Sequence, residues 1–126
     1  MPLLNARLRL GEHETEPQQF LLDSGAALSV VPSDYADDLP ALSLSDIPSR
    51  WTGLKDASGR RIMGRPVLLT VRVQGLQDVE DELWFSDEAW LGVLGQRRWF
   101  ERVGAVFMNF PTHQAGRRFE LFQPRE

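Results

Sequence analysis

Period-two alternation of apolar and polar residues in several segments, glycine and proline punctuation between them, and a length of 126 residues together predict a mainly β single domain spanning 1–126. Domains commonly hold about 100–150 residues, so a second core would need more chain. A composition that is 42% hydrophobic and 25% charged is that of a globular protein and argues against wholesale disorder.

The strands can be read in order. Leu4, Ala6, Leu8 and Leu10 alternate with Asn5, Arg7 and Arg9, which is a strand with one buried face. A polar turn from Gly11 to Pro17 follows, and Gln18 to Leu22 returns as its hairpin partner. Leu28 to Val31 is a short β-branched run ended by Pro32, and 33–48 mixes small helical turns with loop. Gly53, Gly59 and Gly64 around Lys55, Asp56, Ala57 and Ser58 suit a mobile hairpin tip. From Pro66 to Gln74 the residues Val67, Leu69, Val71 and Val73 share one face, and Gly75 ends the run. Val79, Asp81, Leu83 and Phe85 then alternate against Glu80, Glu82 and Trp84, giving a hairpin partner with an acidic outer face. Leu91 to Leu94 is a short strand, Gln96 to Arg102 a short helix, and 105–110 and 117–122 are closing strands.

Composition excludes several functions. The formal charge of −4 arises from 18 acidic and 14 basic residues spread along the chain, with no Lys/Arg block of a nucleic-acid footprint. The absence of cysteine removes disulfides, thiolate metal sites and cysteine nucleophiles, and is compatible with a cytoplasmic setting. The N-terminus lacks the apolar stretch of a signal peptide, and no later run reaches the roughly 18 residues of a membrane span, so a soluble chain is expected.

The chemistry is carried by Phe20-Leu21-Leu22-Asp23-Ser24-Gly25-Ala26. Two apolar residues, then Asp, a small hydroxyl residue, Gly and Ala describe a poorly solvated carboxylate at the end of a buried strand, on a tight turn that Ser24 can hold. Taken alone, Asp-Ser-Gly reads first as an ordinary hairpin turn. A second segment, Leu91-Gly92-Val93-Leu94-Gly95-Gln96, puts an apolar pair before a glycine. Together the two resemble the retropepsin-like aspartic proteases, in which a hydrophobic-hydrophobic-Asp-Ser/Thr-Gly-Ala motif is crossed from behind by a later hydrophobic-hydrophobic-Gly motif. The ending from Leu94 through Phe122 is similar to the standalone bacterial members.

The resemblance implies a closed β-barrel with one short helix towards its end, working as a homodimer on polypeptide substrates without a metal or other cofactor. Asp23 would be the catalytic carboxylate, Ser24 the hydroxyl that locks the two active-site loops together across the dimer, and Gly25 the residue that lets substrate approach. Ala26 and Ala27 would border the substrate, and the flap hairpin would fall at 51–64, with Lys55, Asp56 and Ala57 at its tip and Trp51 touching substrate. Retroviral members carry an Asp two positions after the Gly and a basic residue after the later Gly, where this chain has Ala27 and Gln96.

Other candidates are weaker. His13 among Glu12, Glu14 and Glu16 has no second histidine at ligand spacing, so solvated charge is expected there. Ser24 lacks the glycine-flanked elbow of a serine hydrolase. Trp84, Trp90 and Trp99 are expected to fill the core. Two further readings fit the same pattern: a catalytically weak or inactive dimerisation or protein-binding module of this fold, and a monomeric β-barrel binding a small ligand.

Overall fold

A computed structural model describes residues 3–23 and 25–95. The expected helix at 96–102, the two closing strands, Gln96 and Ser24 lie outside the described residues.

The alternating segments become strands, and their apolar faces turn to one core. β1 (Leu3–Leu10) buries Ala6 and Leu8, and β3 (Gln18–Leu22) buries Phe20 and Leu22. Between them the polar turn contains a two-residue strand, β2 (His13–Glu14), that pairs with the end of β1. Thr15 is buried behind it, its hydroxyl accepting from the Leu8 N–H at 3.0 Å. β4 (Ser29–Pro32) is buried along its whole length, which explains its continuous apolar run rather than alternation. The stretch 33–48 holds two short 3-10 turns, Ser33–Ala36 and Leu44–Asp46.

β5 (Arg50–Lys55) and β6 (Arg61–Arg72) form the glycine-rich hairpin, and β6 runs on without a break into the segment carrying Val67, Leu69 and Val71. The sequence suggests two elements here because only the second half of β6 has a core-facing side. β7 (Val79–Ser86) pairs with it antiparallel from Val71↔Val79 to Arg65↔Phe85. Trp84, which alternates with Glu80 and Glu82 along the strand, is buried as expected of a core tryptophan, and the Arg50 guanidinium lies 5.5 Å from its ring centroid. β8 (Gly92–Leu94) completes the described strands.

β1 pairs through its first half with β3 and through its second half with β6. That double pairing closes the sheet into a six-stranded barrel, β1-β3-β8-β4-β7-β6, with β2 and β5 as outlying strands. Closure removes exposed edges from those six strands. Phe20, Phe85, Leu8, Leu83, Leu94 and Val71 are fully buried inside it, each such side chain stabilising the fold by about 1.5–3 kcal/mol relative to exposure. The expectation of a mainly β closed barrel is met. Among the described residues no helix is long and apolar enough to cross a membrane.

Candidate active site

Strand β3 ends at Leu22, and the chain turns at once. The half-buried Asp23 starts the turn: its carbonyl accepts from the Ala26 N–H at 3.0 Å, and its Oδ1 accepts from the Gly25 N–H at 3.0 Å. This is the local closure that a short carboxylate side chain offers a tight turn. Gly25 keeps this contact open: a Cβ there would stand 3.3 Å from Asp23 Oδ1, and the carboxylate would have to shift by a few tenths of an ångström.

The second motif supports this turn from beneath. β8 is inserted between β3, to which it is parallel, and β4, to which it is antiparallel at Val30↔Val93. The connection from β3 to β4 therefore has to cross the end of β8, and the Asp23 N–H donates to the Leu94 carbonyl at 3.1 Å there. Gly95 lies directly against the crossing chain, since a Cβ there would collide with the Leu28 carbonyl oxygen and stand 2.7 Å from that of Ala26. A Cβ on Gly92 would stand 2.6 Å from Phe20 Cδ2. Both glycines of the motif are close-approach glycines. Tyr35 pins the same region, its hydroxyl donating to the Gln19 carbonyl at 2.6 Å and accepting from the Gly92 N–H at 3.3 Å. Burial raises the pKa of that hydroxyl above its ordinary value of 10.0.

Beside the turn is a cavity of about 310 Å³. Leu21, Ala26, Leu28 and Val30 form one side, Leu54, Asp56 and Ile62 reach it from the β5–β6 hairpin, and Glu88, Trp90, Leu91 and Val93 close it. It is apolar apart from two carboxylates. A larger cleft of about 710 Å³, between β1, β2 and the end of β6, contains Arg7, Glu14, Arg72 and Asp78. Arg72 there pairs with Glu14 at 2.8 Å and with Asp78 at 3.2 Å, so these three charges satisfy one another, and Arg7 donates to the Thr15 carbonyl at 3.4 Å. It lacks the Asp23 turn, and we assign no chemistry to it. Among the described residues no group of three or more His, Cys, Asp or Glu could hold a metal ion.

Of the residues singled out by sequence, Asp23, Gly25 and Ala26 share the turn, and Ala26 and Asp56 line the cavity. Ala27, Lys55 and Ala57 are exposed. Asp56 organises the hairpin tip: its Oδ1 accepts from Ser58 Oγ at 2.6 Å, from the Ser58 N–H at 2.9 Å and from the Arg60 N–H at 3.0 Å. Those bonds, the Ser58 hydroxyl first, hold its carboxyl below the usual value of 3.8. Trp51 braces the hairpin, its ring 4.4 Å from the Arg61 guanidinium and its Nε1–H donating to the Leu54 carbonyl at 3.0 Å.

Sequence reasoning missed Leu54, Ile62 and Trp90 as cavity residues. Trp90, expected in the core, is 86% exposed at the cavity, and the acidic and small residues before it in Asp87-Glu88-Ala89 were the available signal.

No protein-family model matches the chain, and the search of curated proteins finds no match. Among solved structures the chain is similar to the solution structure of simian foamy virus protease, with 23% identity and a TM-score of 0.48, covering 87% of this chain and 99% of that one. It is also similar to the crystal structure of a retropepsin-like aspartic protease from Rickettsia conorii, with 15% identity and a TM-score of 0.49, covering 75% and 77%. The second bears the family name that the two sequence motifs suggest. At these identities and TM-scores neither likeness assigns a chemistry to this chain, which its own residues must supply.

Proposed function

We propose that the chain is an aspartic endopeptidase that works as a homodimer, with Asp23 of each copy contributing one of two catalytic carboxylates. The observation that carries this reading is the Asp23 turn itself. A half-buried carboxylate ends a core strand, held at its backbone by Leu94 and adjoined by an apolar cavity under a hairpin.

One such turn per chain supplies one carboxylate, whereas hydrolysis of an amide by this route needs two that share a proton, so a twofold axis bringing Asp23 against its symmetry mate is required. Two carboxylates held together cannot both ionise easily, and one keeps a proton. The ionised member takes a proton from a water whose oxygen attacks the peptide carbonyl, while the protonated member gives its proton to the carbonyl oxygen. Collapse of the resulting diol breaks the C–N bond, and a proton passes to the leaving nitrogen. The carboxylates end as they began, and neither a covalent intermediate nor a metal is needed.

Substrate would lie extended beneath the β5–β6 hairpin, acting as a flap, with main-chain hydrogen bonds to the protein and one apolar side chain in the cavity beside Asp23. Ser24 in this scheme ties the two turns together across the dimer, and Ala26, Ala27, Lys55, Asp56 and Ala57 border the peptide.

The test is cleavage of a diverse peptide mixture between mildly acidic and neutral pH, comparing the native chain with Asp23→Asn over a range of protein concentrations. Cleavage lost in the variant, and rising more steeply than linearly with concentration in the native chain, is the expected result. No cleavage at any concentration by a chain shown to be folded overturns the proposal and favours a binding module of this fold.

A further inference from the structure

Asp81 lies on the core side of β7, between Val79 and Leu83, and is 1% exposed. A carboxylate at a core position of a barrel is costly unless hydrogen bonds compensate it. Its Oδ2 accepts from the hydroxyl of Ser29, 3.0 Å away and itself 2% exposed. The Ser29 oxygen accepts in turn from the Gly95 N–H at 3.0 Å. The amide N–H of Gly95 can only donate, so the Ser29 oxygen accepts there and its own hydroxyl proton is the one given to Asp81 Oδ2.

Gly95 N–H belongs to the same peptide group as the Leu94 carbonyl, and that carbonyl accepts from the Asp23 N–H at 3.1 Å. A single peptide plane therefore receives the Asp23 amide on one side and is held by Ser29 and Asp81 on the other. Hydrogen bonds arranged head to tail polarise one another, so a strong acceptor at the far end strengthens the bond at the near end. Beyond its energy, the chain fixes the rotation of the Leu94–Gly95 peptide plane, on which the direction of the Leu94 carbonyl depends.

We infer that Ser29 and Asp81 are positioning residues for Asp23, acting through the Leu94–Gly95 peptide. The catalytic part of the inference rests on the proposed protease reading; the structural part does not. Asp81 has an interaction beyond the bond to Ser29, so Ser29 is the cleaner probe. Ser29→Ala removes the relay and leaves the Gly95 N–H without its acceptor, whereas Asp81→Asn keeps an acceptor for the Ser29 hydroxyl.

The experiment reads two quantities on the same samples: amide hydrogen exchange at Asp23 relative to amides of the β6–β7 pair, and kcat and KM for a cleaved peptide. In Ser29→Ala the Asp23 amide should exchange about fivefold faster relative to β6–β7, as expected for losing most of a bond worth about 1 kcal/mol. With it, kcat should fall about 10–100-fold at unchanged KM, the signature of a misaligned reacting group rather than of weaker binding. Asp81→Asn, which keeps an acceptor for the Ser29 hydroxyl, should retain most of both the Asp23 protection and kcat. Should Ser29→Ala be recovered unfolded, Asp81→Asn carries the same test with a smaller rise, about threefold, in Asp23 exchange. Exchange at Asp23 that does not exceed the change in β6–β7 overturns the inference, whatever happens to activity. If the native chain cleaves nothing, the protease reading fails and the exchange result alone decides whether Ser29 and Asp81 hold Asp23.

Discussion

The Asp23 N–H and the Leu94 carbonyl, 3.1 Å apart, join the turn after β3 to the end of the strand that runs parallel to it. Two segments about seventy residues apart in sequence thereby become one site. Gly95 is the residue that lets them meet, because any side chain there runs into the carbonyl oxygens of Leu28 and Ala26.

Gly95→Ala should therefore damage both fold and site. The obstructing atoms are backbone, which cannot rotate away, so the crossing chain must move as a unit. Overpacking of a fixed region costs about 1–3 kcal/mol, and displacement of a reacting group by about 1 Å lowers turnover on the order of a hundredfold. Urea unfolding and peptide cleavage per folded molecule measure the two effects. Wild-type cleavage by Gly95→Ala would show that the crossing is not part of the site.

Gly92→Ala meets a different obstacle, the fully buried Phe20 ring on β3, with Tyr35 packed edge-on against that ring at 5.5 Å between centroids. A loss of about 1–3 kcal/mol in stability is expected. Phe20→Leu frees space at the contact, so the double variant should lose less than the sum of the single ones. Additive losses in a double-mutant cycle would contradict the contact.

The sequence showed this architecture where one face of a strand is buried and the other wet, as in β1 and β6, because alternation then marks the core directly. It was silent where burial is complete, as in β4, and it could not give the insertion of β8 between β3 and β4, since a three-residue strand carries no record of its partners. The tight turn at Asp23 was legible from its motif and Gly95 from the apolar pair before it, whereas the close approach of Gly92 to Phe20 was not, because the partner ring lies on a strand distant in sequence. Ser29 was not, because nothing about a serine at a strand start distinguishes a buried relay from a turn. Asp81 left a trace, a carboxylate in register with Val79, Leu83 and Phe85, but its partner is 52 residues away.

The hairpin tip gives a pH-dependent prediction. The folded pKa of Asp56 is depressed below 3.8 by donors at Ser58 and Arg60. A depressed carboxyl stabilises the fold above its unfolded pKa, and that contribution disappears as pH falls through the folded value. The Ser58 and Arg60 amides should thus be protected above pH 3.8 and lose protection in more acidic solution. In Asp56→Ala they should be unprotected throughout, with little change in global stability because the group is exposed. Protection that persists in Asp56→Ala would assign it to the backbone pairing of the hairpin alone.

Trp90 offers the most direct test of the cavity. Its indole is 86% exposed yet lines the same space as Leu54 and Ile62, so a substrate side chain seated there would cover apolar surface now in water. Partial coverage of an aromatic ring is worth about 1–2 kcal/mol, which corresponds to a rise in KM of about five- to thirtyfold in Trp90→Ala. Since the ring is not part of the core, stability should change by no more than about 0.5 kcal/mol. The contact is the same in ground and transition states, so kcat should stay within about twofold. A peptide series varying one apolar position measures this: the KM effect should grow with side-chain size. A uniform loss of kcat across the series would mean that Trp90 acts on the chemistry or the dimer rather than on the cavity.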